Sequence, residues 1–244
     1  MTTGPVAELR DLRFAYRTGR EVLDLPALDV APGERLFLHG PSGSGKTTLL
    51  GLRAGVLTPR AGTVRLLGTE ISALGGGARD RFRAAHLGYV FQMFNLIPYL
   101  SVRDNITLPC RISAVRRARA GDPAAQARQL ADRLEIGALL DEPVTALSVG
   151  QQQRVAVARA LIGAPELVVC DEPTSALDAD RRDRFLALLF ARVQEAGSAL
   201  VFVSHDLALA GRFDRTVALG ALNRAAGVSD PDAAPLGGAP AGAA

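Results

Sequence analysis

The stretch HGPSGSGKTT, residues 39 to 48, decides the fold of this chain. It follows an apolar segment at 34–39, which predicts a strand, and it runs into a segment at 47–55 whose pattern predicts a helix. Glycines let consecutive backbone N–H groups turn toward phosphate oxygens without a Cβ in the way. The N-terminus of the following helix adds partial positive charge at the same point. A strand, a glycine-rich loop and a helix in this order predict a phosphate loop.

The residue types in this stretch fit nucleotide chemistry. Lys46 is the only lysine of the chain and can reach the β- and γ-phosphates of ATP. The Thr47 hydroxyl can ligate Mg²⁺. A flexible Gly/Ser turn is the alternative for an isolated match. The predicted nucleotide-binding residues of the loop are Gly40, Pro41, Ser42, Gly43, Ser44, Gly45, Lys46, Thr47 and Thr48.

A second segment supplies the acidic groups that a phosphate loop needs. LVVCDEP, residues 167–173, is an apolar run that reaches Asp171 and Glu172, and open α/β sheets bind ligands at the carboxyl ends of their strands. We expect Asp171 to hold Mg²⁺ and Glu172 to act as the catalytic general base. His205 ends the next apolar run, VFVSHD, and is predicted to sense the γ-phosphate. The alternatives are a solvated acidic turn and a structural histidine.

The order of the apolar runs predicts an α/β fold. Short continuous runs at 167–170 and 199–204 are typical of parallel strands that are buried on both faces. Segments 6–16 and 23–30 have strand patterns and precede the phosphate loop. We therefore predict a phosphate-loop ATPase core with a parallel sheet, an N-terminal antiparallel β-subdomain and an inserted helical lobe.

The domain boundaries follow from changes in composition. The helical lobe is predicted at about 95–150, within a single ATP-binding domain of residues 1–224. Residues 225–244 are rich in alanine, glycine and proline, which predicts a disordered tail. Within the lobe, the arginine cluster at 111–119 predicts a solvated face, with contact to a membrane partner or to anionic lipid headgroups as the alternative.

Composition narrows the function class. The net charge of +3 is too weak to indicate a nucleic-acid partner. The two cysteines, Cys110 and Cys170, give no disulfide framework and suggest a reducing compartment. The first residues lack the apolar stretch of a signal peptide, and no run reaches the ~18 apolar residues needed to cross a bilayer. We expect a soluble, cytoplasmic protein.

The stretch LSVGQQQRVAVARAL, residues 147–161, belongs with several weaker motifs: FQ at 91–92, SALD at 175–178, the histidine named above and the aromatic Tyr16. Together and in this order they resemble the ATP-binding subunit of an ABC transporter, over about residues 5–224. The resemblance implies that Tyr16 stacks on adenine. It also implies that Gln92 contacts the metal and acts catalytically by coupling metal occupancy to the helical lobe, and it adds Asp178 to the nucleotide-binding residues.

In that family the stretch at 147–161 is the signature motif. Ser148 and Gln151 have capping-box spacing, so a helix is predicted to begin near residue 149 with N–H groups that can receive an anion. The resemblance implies that Ser148 and the Gly150 N–H bind the γ-phosphate held by a second copy, with Gln151 nearer the sugar. Val149 replaces the more common glycine, and its N–H stays available if φ is negative. An ordinary capped helix is the alternative, and the two glutamines that follow are polar positions of its first turns.

The resemblance also implies partners. Two chains would form a homodimer around two ATP molecules, and a separate transmembrane permease would hold the dimer on the inner face of the cell membrane. The stretch GYVFQMFNLIPYLSVRDNITLP, residues 88–109, is similar to the branch that serves macrolide-efflux, lipoprotein-release and haem-export type permeases. Two alternatives are a non-transport ABC ATPase and a regulatory subunit whose ATP cycle signals mechanically to an envelope enzyme.

Overall fold

The computed structural model describes residues 4–16, 19–41, 43–175 and 177–225. Within these ranges the chain forms nine strands and eight α-helices, numbered here in chain order. The strands are β1 (Ala7–Phe14), β2 (Leu23–Val30), β3 (Arg35–His39), β4 (Ala61–Leu66), β5 (Thr69–Glu70), β6 (Leu87–Val90), β7 (Leu167–Asp171), β8 (Ala199–Val203) and β9 (Arg215–Ala218). The helices are α1 (Lys46–Arg53), α2 (Gly76–His86), α3 (Val102–Ile112), α4 (Ala114–Ala120), α5 (Pro123–Arg133), α6 (Val149–Leu161), α7 (Ala179–Glu195) and α8 (Leu219–Leu222). Except for Ala225, the predicted tail lies outside the described residues.

The N-terminal strands form a four-stranded antiparallel sheet with the order β2-β1-β4-β5. The alternation of buried residues along β1 is interrupted at Asp11, which has a left-handed φ of 46°. The register between β1 and β4 shifts at this point. Gly62 lies opposite, and a Cβ there would come within 2.3 Å of the Asp11 carbonyl oxygen. A β-bulge therefore keeps Leu9 and Leu12 on the same buried face.

The second sheet has five strands in the order β6-β7-β8-β3-β9, and all neighbouring pairs are parallel. Alternate side chains of β3 enter different cores. Leu36 and Leu38 pack with the antiparallel sheet and α1, whereas Phe37 packs with α6 and α7. This burial on both faces explains why the parallel strands are continuous apolar runs. The α/β fold class, with a parallel sheet and an antiparallel sheet, is confirmed.

Three helices, α3, α4 and α5, lie between β6 and the signature stretch, and α3 and α5 pack against α6. Arg116 of α4 corrects the prediction of a wholly solvated arginine cluster. Its guanidinium is fully buried and donates to the carbonyl oxygens of Leu87 at 3.2 Å, Arg159 at 3.4 Å and Ala160 at 2.8 Å. These bonds tie α4 to the start of β6 and the end of α6. In the described part of the chain, no helix has the length and apolar character of a membrane span.

Candidate nucleotide-binding site

The loop between β3 and α1 requires glycine at three positions, residues 40, 43 and 45. Gly43 and Gly45 have φ values of 79° and 92°, in the left-handed region that side-chain-bearing residues avoid. At Gly40, a Cβ would come within 2.6 Å of the Ser44 Oγ. Ser42, which the sequence predicts to bind nucleotide, lies outside the described residues. The backbone conformation therefore requires glycine at positions 43 and 45, and the close approach of Ser44 requires it at position 40.

Two polar groups of the loop point to an anionic ligand. The Lys46 Nζ donates to the carbonyl oxygens of Gly40 at 2.7 Å and Pro41 at 2.9 Å, so the ammonium lies inside the curve of the loop. Partial burial lowers the pKa of Lys46, while the nearby carboxylates of Glu172 and Asp171 act in the opposite direction. The Ser44 Oγ is buried and has no hydrogen-bond partner among the described residues. A bound phosphate would supply the acceptor that this hydroxyl lacks.

The parallel register brings the predicted acidic and polar residues to the same edge of the sheet. Asp171 pairs with Val203, Val203 pairs with Leu38, and Cys170 pairs with Val90. The carboxyl ends of β3, β6, β7 and β8 are therefore level with one another. The phosphate loop follows β3, Gln92 follows β6 by two residues, and His205 follows β8 by two residues. Gln92 is exposed to solvent at this edge.

Asp171 and Glu172 differ in environment although they are adjacent in sequence. Burial, together with the neighbouring charge of Glu172 and against the effect of Lys46, raises the pKa of Asp171 to about 6. The Glu172 Oε2 lies 2.8 Å from Nδ1 of His205. Glu172 has a left-handed φ of 48°, and its N–H donates to the Val203 carbonyl oxygen at 3.0 Å. The Glu172 carboxylate thus contacts the His205 imidazole, and the carboxylates of Glu172 and Asp171 both act electrostatically on the ammonium of Lys46.

The residues at this edge fit Mg²⁺ bound with a nucleotide. Among the described residues, no group of three or more His, Cys, Asp or Glu side chains could form an all-protein metal cage. Mg²⁺ instead takes one or two carboxylates, hydroxyls and the phosphate oxygens of its substrate. The Thr47 hydroxyl is exposed at the start of α1, and Thr47 and Asp171 line the same groove. This donor set is the one that a nucleotide-bound Mg²⁺ needs.

Tyr16 lies against the first turn of α1. Its hydroxyl is 2.8 Å from the Thr48 Oγ1, and its ring makes an edge-to-face contact with Phe14 at a centroid distance of 5.0 Å. The ring is therefore held beside the phosphate loop from two directions. The sequence did not indicate the bond to Thr48, because the two residues are separated by 32 positions.

The signature residues lie in a different place. Ser148 caps α6, its N–H donates to the Gln151 Oε1 at 2.8 Å, and the Gln151 N–H donates to the Ser148 Oγ at 3.4 Å, so the predicted capping box is present. Val149 is the first helical residue and is half-exposed. Its φ is outside the left-handed region, so its N–H keeps the ordinary helical direction.

A surface groove of about 610 Å³ lies at this helix end. Ser148, Gly150 and Gln151 line it, and none of the described residues of the phosphate loop does. Asp178 caps α7 by accepting from the Arg181 N–H at 2.9 Å. Among the described residues, the phosphate loop and the start of the signature helix thus lie at two separate places on the surface of the chain.

Sequence reasoning missed two buried polar side chains of α6, which contact the loop after Gln92 and the turn after Glu172. Arg159 of α6 donates to the carbonyl oxygen of Asn95 at 2.7 Å and to that of Phe94, in the loop that follows Gln92. Gln153 of α6 donates to the Pro173 carbonyl oxygen at 2.6 Å. Because arginine is abundant throughout the chain and the acceptors are backbone carbonyls far away in sequence, the pattern gave no signal for these contacts.

A glycine-rich loop with an inward lysine, followed by a helix and faced by an acidic strand end, defines a phosphate-loop nucleotide-binding protein. The model of the ABC transporter family matches residues 23–175. The chain belongs to the ABC transporter family, and within it to the ATP-binding cassettes. The recognition made from the sequence is confirmed.

Relatives of known name support the same assignment. The lipoprotein-releasing system ATP-binding protein LolD of Novosphingobium aromaticivorans is 40% identical over 221 residues, which cover 88% of this chain and 96% of that protein. The ABC transporter ATP-binding protein Rv0986 of Mycobacterium tuberculosis is 40% identical over 222 residues, which cover 90% of this chain and 88% of that protein.

Solved structures resemble the whole fold. The dimeric structure of MJ0796, a bacterial ABC transporter cassette, has a TM-score of 0.76 and 30% identity, and the match covers 87% of this chain and 93% of that one. A dimeric post-hydrolysis state of the same cassette, bound to ADP and Pi, has a TM-score of 0.73 and 32% identity over the same shares.

Proposed function

We propose that this chain binds and hydrolyses ATP with Mg²⁺, works as a homodimer, and drives a separate membrane permease from the inner face of the cell membrane. The observation that carries the proposal is the cluster at the sheet edge. In it, Lys46 lies inside the phosphate loop and near the carboxylates of Asp171 and Glu172, and His205 contacts Glu172. The family of the chain supports ATP as the nucleotide.

Each residue of the cluster has a distinct proposed role. Lys46 and the loop N–H groups bind the β- and γ-phosphates, and Thr47, Asp171 and Gln92 hold Mg²⁺. When bound, Mg²⁺ supplies positive charge that neutralises the phosphate oxygens. Glu172 accepts the proton of the water that attacks the γ-phosphorus, as the bond to the bridging oxygen breaks.

His205 supports this chemistry from one side. Its Nδ1 contacts the Glu172 carboxylate at 2.8 Å, and the ring is otherwise largely exposed at the site. The imidazole therefore orients the carboxylate and remains available to a phosphate oxygen. Tyr16 would stack on adenine from its position beside α1, a contact of about 1 kcal/mol.

The separation of the phosphate loop from the start of the signature helix supports a homodimer. Ser148, Gly150 and Gln151 line a groove to which no described residue of the phosphate loop contributes, so a second copy would bring its signature helix to the nucleotide. The N-terminus of α6 has oriented N–H groups, which favour an anion. That the similar cassette MJ0796 is dimeric supports the same arrangement. The assembly has no role for a nucleic acid.

A groove of about 720 Å³ supports a permease partner. It is lined by apolar residues, among them Val56, Leu108 and Ile112, and it also reaches Thr47 and Asp171. Val56 and Ile112 are more than half exposed. An apolar surface of this kind fits a helix of a membrane partner, and its other end contacts the nucleotide residues.

The relatives support a permease of the lipoprotein-release type, since LolD is named for such a system. The second candidate is an ABC ATPase that regulates an envelope process by mechanical signalling without cargo. This function would use the same nucleotide-binding residues as transport, so only the identity of the partner protein distinguishes the two functions. Purification from membranes with a tagged chain, followed by identification of the bound partner, tests this point: a permease supports transport, and an envelope hydrolase supports signalling.

Mixed dimers test the trans arrangement. Glu172→Gln should trap ATP and accumulate a dimer on gel filtration, because the water loses its base. Ser148→Arg should bind ATP as a single chain but fail to close, since a bulky cation fills the space for the facing phosphate loop. Mixing Ser148→Arg chains with Lys46→Ala chains rebuilds one composite site, which should hold one ATP per mixed dimer. If the mixture closes no better than either parent, and Glu172→Gln forms no ATP-dependent dimer, the homodimer proposal is wrong.

A further inference from the structure

Gln153 is a buried polar residue on the inner side of the signature helix. Its side chain is only 2% exposed, and its Nε2 donates to the Pro173 carbonyl oxygen at a distance of 2.6 Å. Pro173 directly follows Glu172 and is itself buried. The bond therefore joins α6 to the residue that directly follows the proposed catalytic base.

The backbone of Glu172 depends on contacts on both sides. A non-glycine residue with a φ of 48° is in a sparsely populated conformation that persists only where neighbours hold it. The proline that follows restricts it further. On one side the Glu172 N–H donates to the Val203 carbonyl oxygen at 3.0 Å, and on the other Gln153 holds the Pro173 carbonyl. Removing either contact allows the peptide to rotate and the carboxylate to move.

We propose that Gln153 is a positioning residue for Glu172, which fixes the direction of its carboxylate by holding the Pro173 carbonyl to the signature helix. The inference rests on the proposed function, in which Glu172 is the general base. Its consequence is that the helix capped by Ser148, which would contact the partner's nucleotide, also orients the base that acts on this chain's own nucleotide.

Gln152 provides a matched control. It is the neighbouring glutamine of the same helical turn, and its Nε2 donates to the carbonyl oxygens of Val144 at 3.1 Å and Leu147 at 3.3 Å. These acceptors precede α6 and do not touch the turn after Glu172. Gln152→Met and Gln153→Met thus remove the same amide from the same helix, and only the second releases the Pro173 carbonyl.

The test measures ATP hydrolysis of the full chain against ATP concentration. Gln153→Met should lower kcat about tenfold, which corresponds to about 1.4 kcal/mol in the barrier, while KM stays within about twofold. In the Glu172→Gln background, adding Gln153→Met should leave unchanged the ATP concentration that forms the dimer. Gln152→Met should keep at least about half of the wild-type kcat. A purely structural role would instead weaken dimer formation together with kcat.

A second variant, Gln153→Glu, tests the inference by the pH dependence of its kcat. This result does not depend on whether the variant and the wild type are folded to the same extent. In Gln153→Glu, the introduced carboxyl can donate to the Pro173 carbonyl only when it is protonated, and burial favours that form. Its kcat, relative to wild type, should therefore recover as the pH is lowered. An unchanged kcat in Gln153→Met, or a relative kcat of Gln153→Glu that does not vary with pH, would overturn this inference and leave the proposed function standing. Absence of ATPase activity in the wild-type chain would overturn the proposed function, and the inference with it.

Discussion

Arg53, the last residue of α1, is fully buried, and none of its three guanidinium nitrogens has a hydrogen-bond partner within the described residues. Burial lowers the pKa of Arg53 to about 10, against the opposing effect of the Glu34 carboxylate. At neutral pH the guanidinium is protonated in both the folded and the unfolded chain. A folded-state pKa below the unfolded value is then a cost to stability, and it is relieved only as the pH rises through about 10 toward the unfolded value.

The size of this cost follows from the pKa. At about 1.4 kcal/mol for each tenfold change in the protonation equilibrium, the lowered pKa corresponds to about 3 kcal/mol of unfolding free energy. Arg53→Met removes the charge and keeps an unbranched side chain of similar reach. Because the guanidinium also fills space in the core, its removal costs about 1 kcal/mol of packing energy, and we expect a net stabilisation of about 2 kcal/mol. For a chain of this size that raises Tm by about 4–8 °C.

The matched control is Arg116→Met. Burial also lowers the pKa of Arg116 to about 10, but its guanidinium donates to three backbone carbonyl oxygens. Truncation there relieves a similar burial cost of about 3 kcal/mol but removes three hydrogen bonds from a charged donor, worth about 2 kcal/mol each. We therefore expect a net loss of about 3 kcal/mol and a Tm lower by about 6–12 °C. Differential scanning calorimetry at neutral pH measures both variants. If Arg53→Met lowers Tm as much as Arg116→Met does, the reasoning about unpaired burial is refuted.

Three further changes test the site and the packing. Lys46→Ala should abolish ATP binding in a filter or fluorescence assay, and an unchanged affinity would contradict the nucleotide assignment. Tyr16→Ala should weaken ATP binding several-fold, whereas Tyr16→Phe keeps the ring and loses only its bond to Thr48, so equal effects in titrations would argue against stacking. Gly88→Ala would place a Cβ 2.3 Å from a carbonyl oxygen of α6 and should cost about 1–3 kcal/mol in thermal unfolding. Gly211→Ala, with open space around it, is the control, and equal Tm values would contradict the close approach.

The features that could be predicted from the sequence depend on local rules. The phosphate loop was predictable because its glycines, Lys46 and Thr47 must lie within a few residues of one another in the sequence to surround a phosphate. The strands at 167–170 and 199–204 were predictable because burial on both faces requires a continuous apolar run. The capping box of Ser148 and Gln151 is also local, and the structure contains it.

Other elements left too weak a local signal. β6, Leu87–Val90, has only four residues and includes a glycine, so it lacks a clear strand pattern. α2 begins at Gly76, within a run of three glycines at 75–77 that disfavours helix in the first turn. Arg116 and Arg159 are buried and donate to carbonyl oxygens that tertiary packing brings near, such as the Leu87 oxygen, 29 residues from Arg116. No propensity or spacing contains that information.

The composition of the signature stretch has two physical explanations, and the structure distinguishes them by position along α6. Its first turn is polar because Ser148 and Gln151 satisfy the free N–H groups of the helix start and leave that end open to an anion. Its later turns are small, and the helix packs directly on β6: the backbone at Ala160 comes so close to Gly88 that a Cβ at residue 88 would lie 2.3 Å from the Ala160 carbonyl oxygen. Gln153 lies between these two parts of α6. An apolar residue there would leave the Pro173 carbonyl oxygen without the amide that donates to it. The polar start, the small residues and the buried glutamine are therefore separate requirements on one helix, and each is set by a different neighbour.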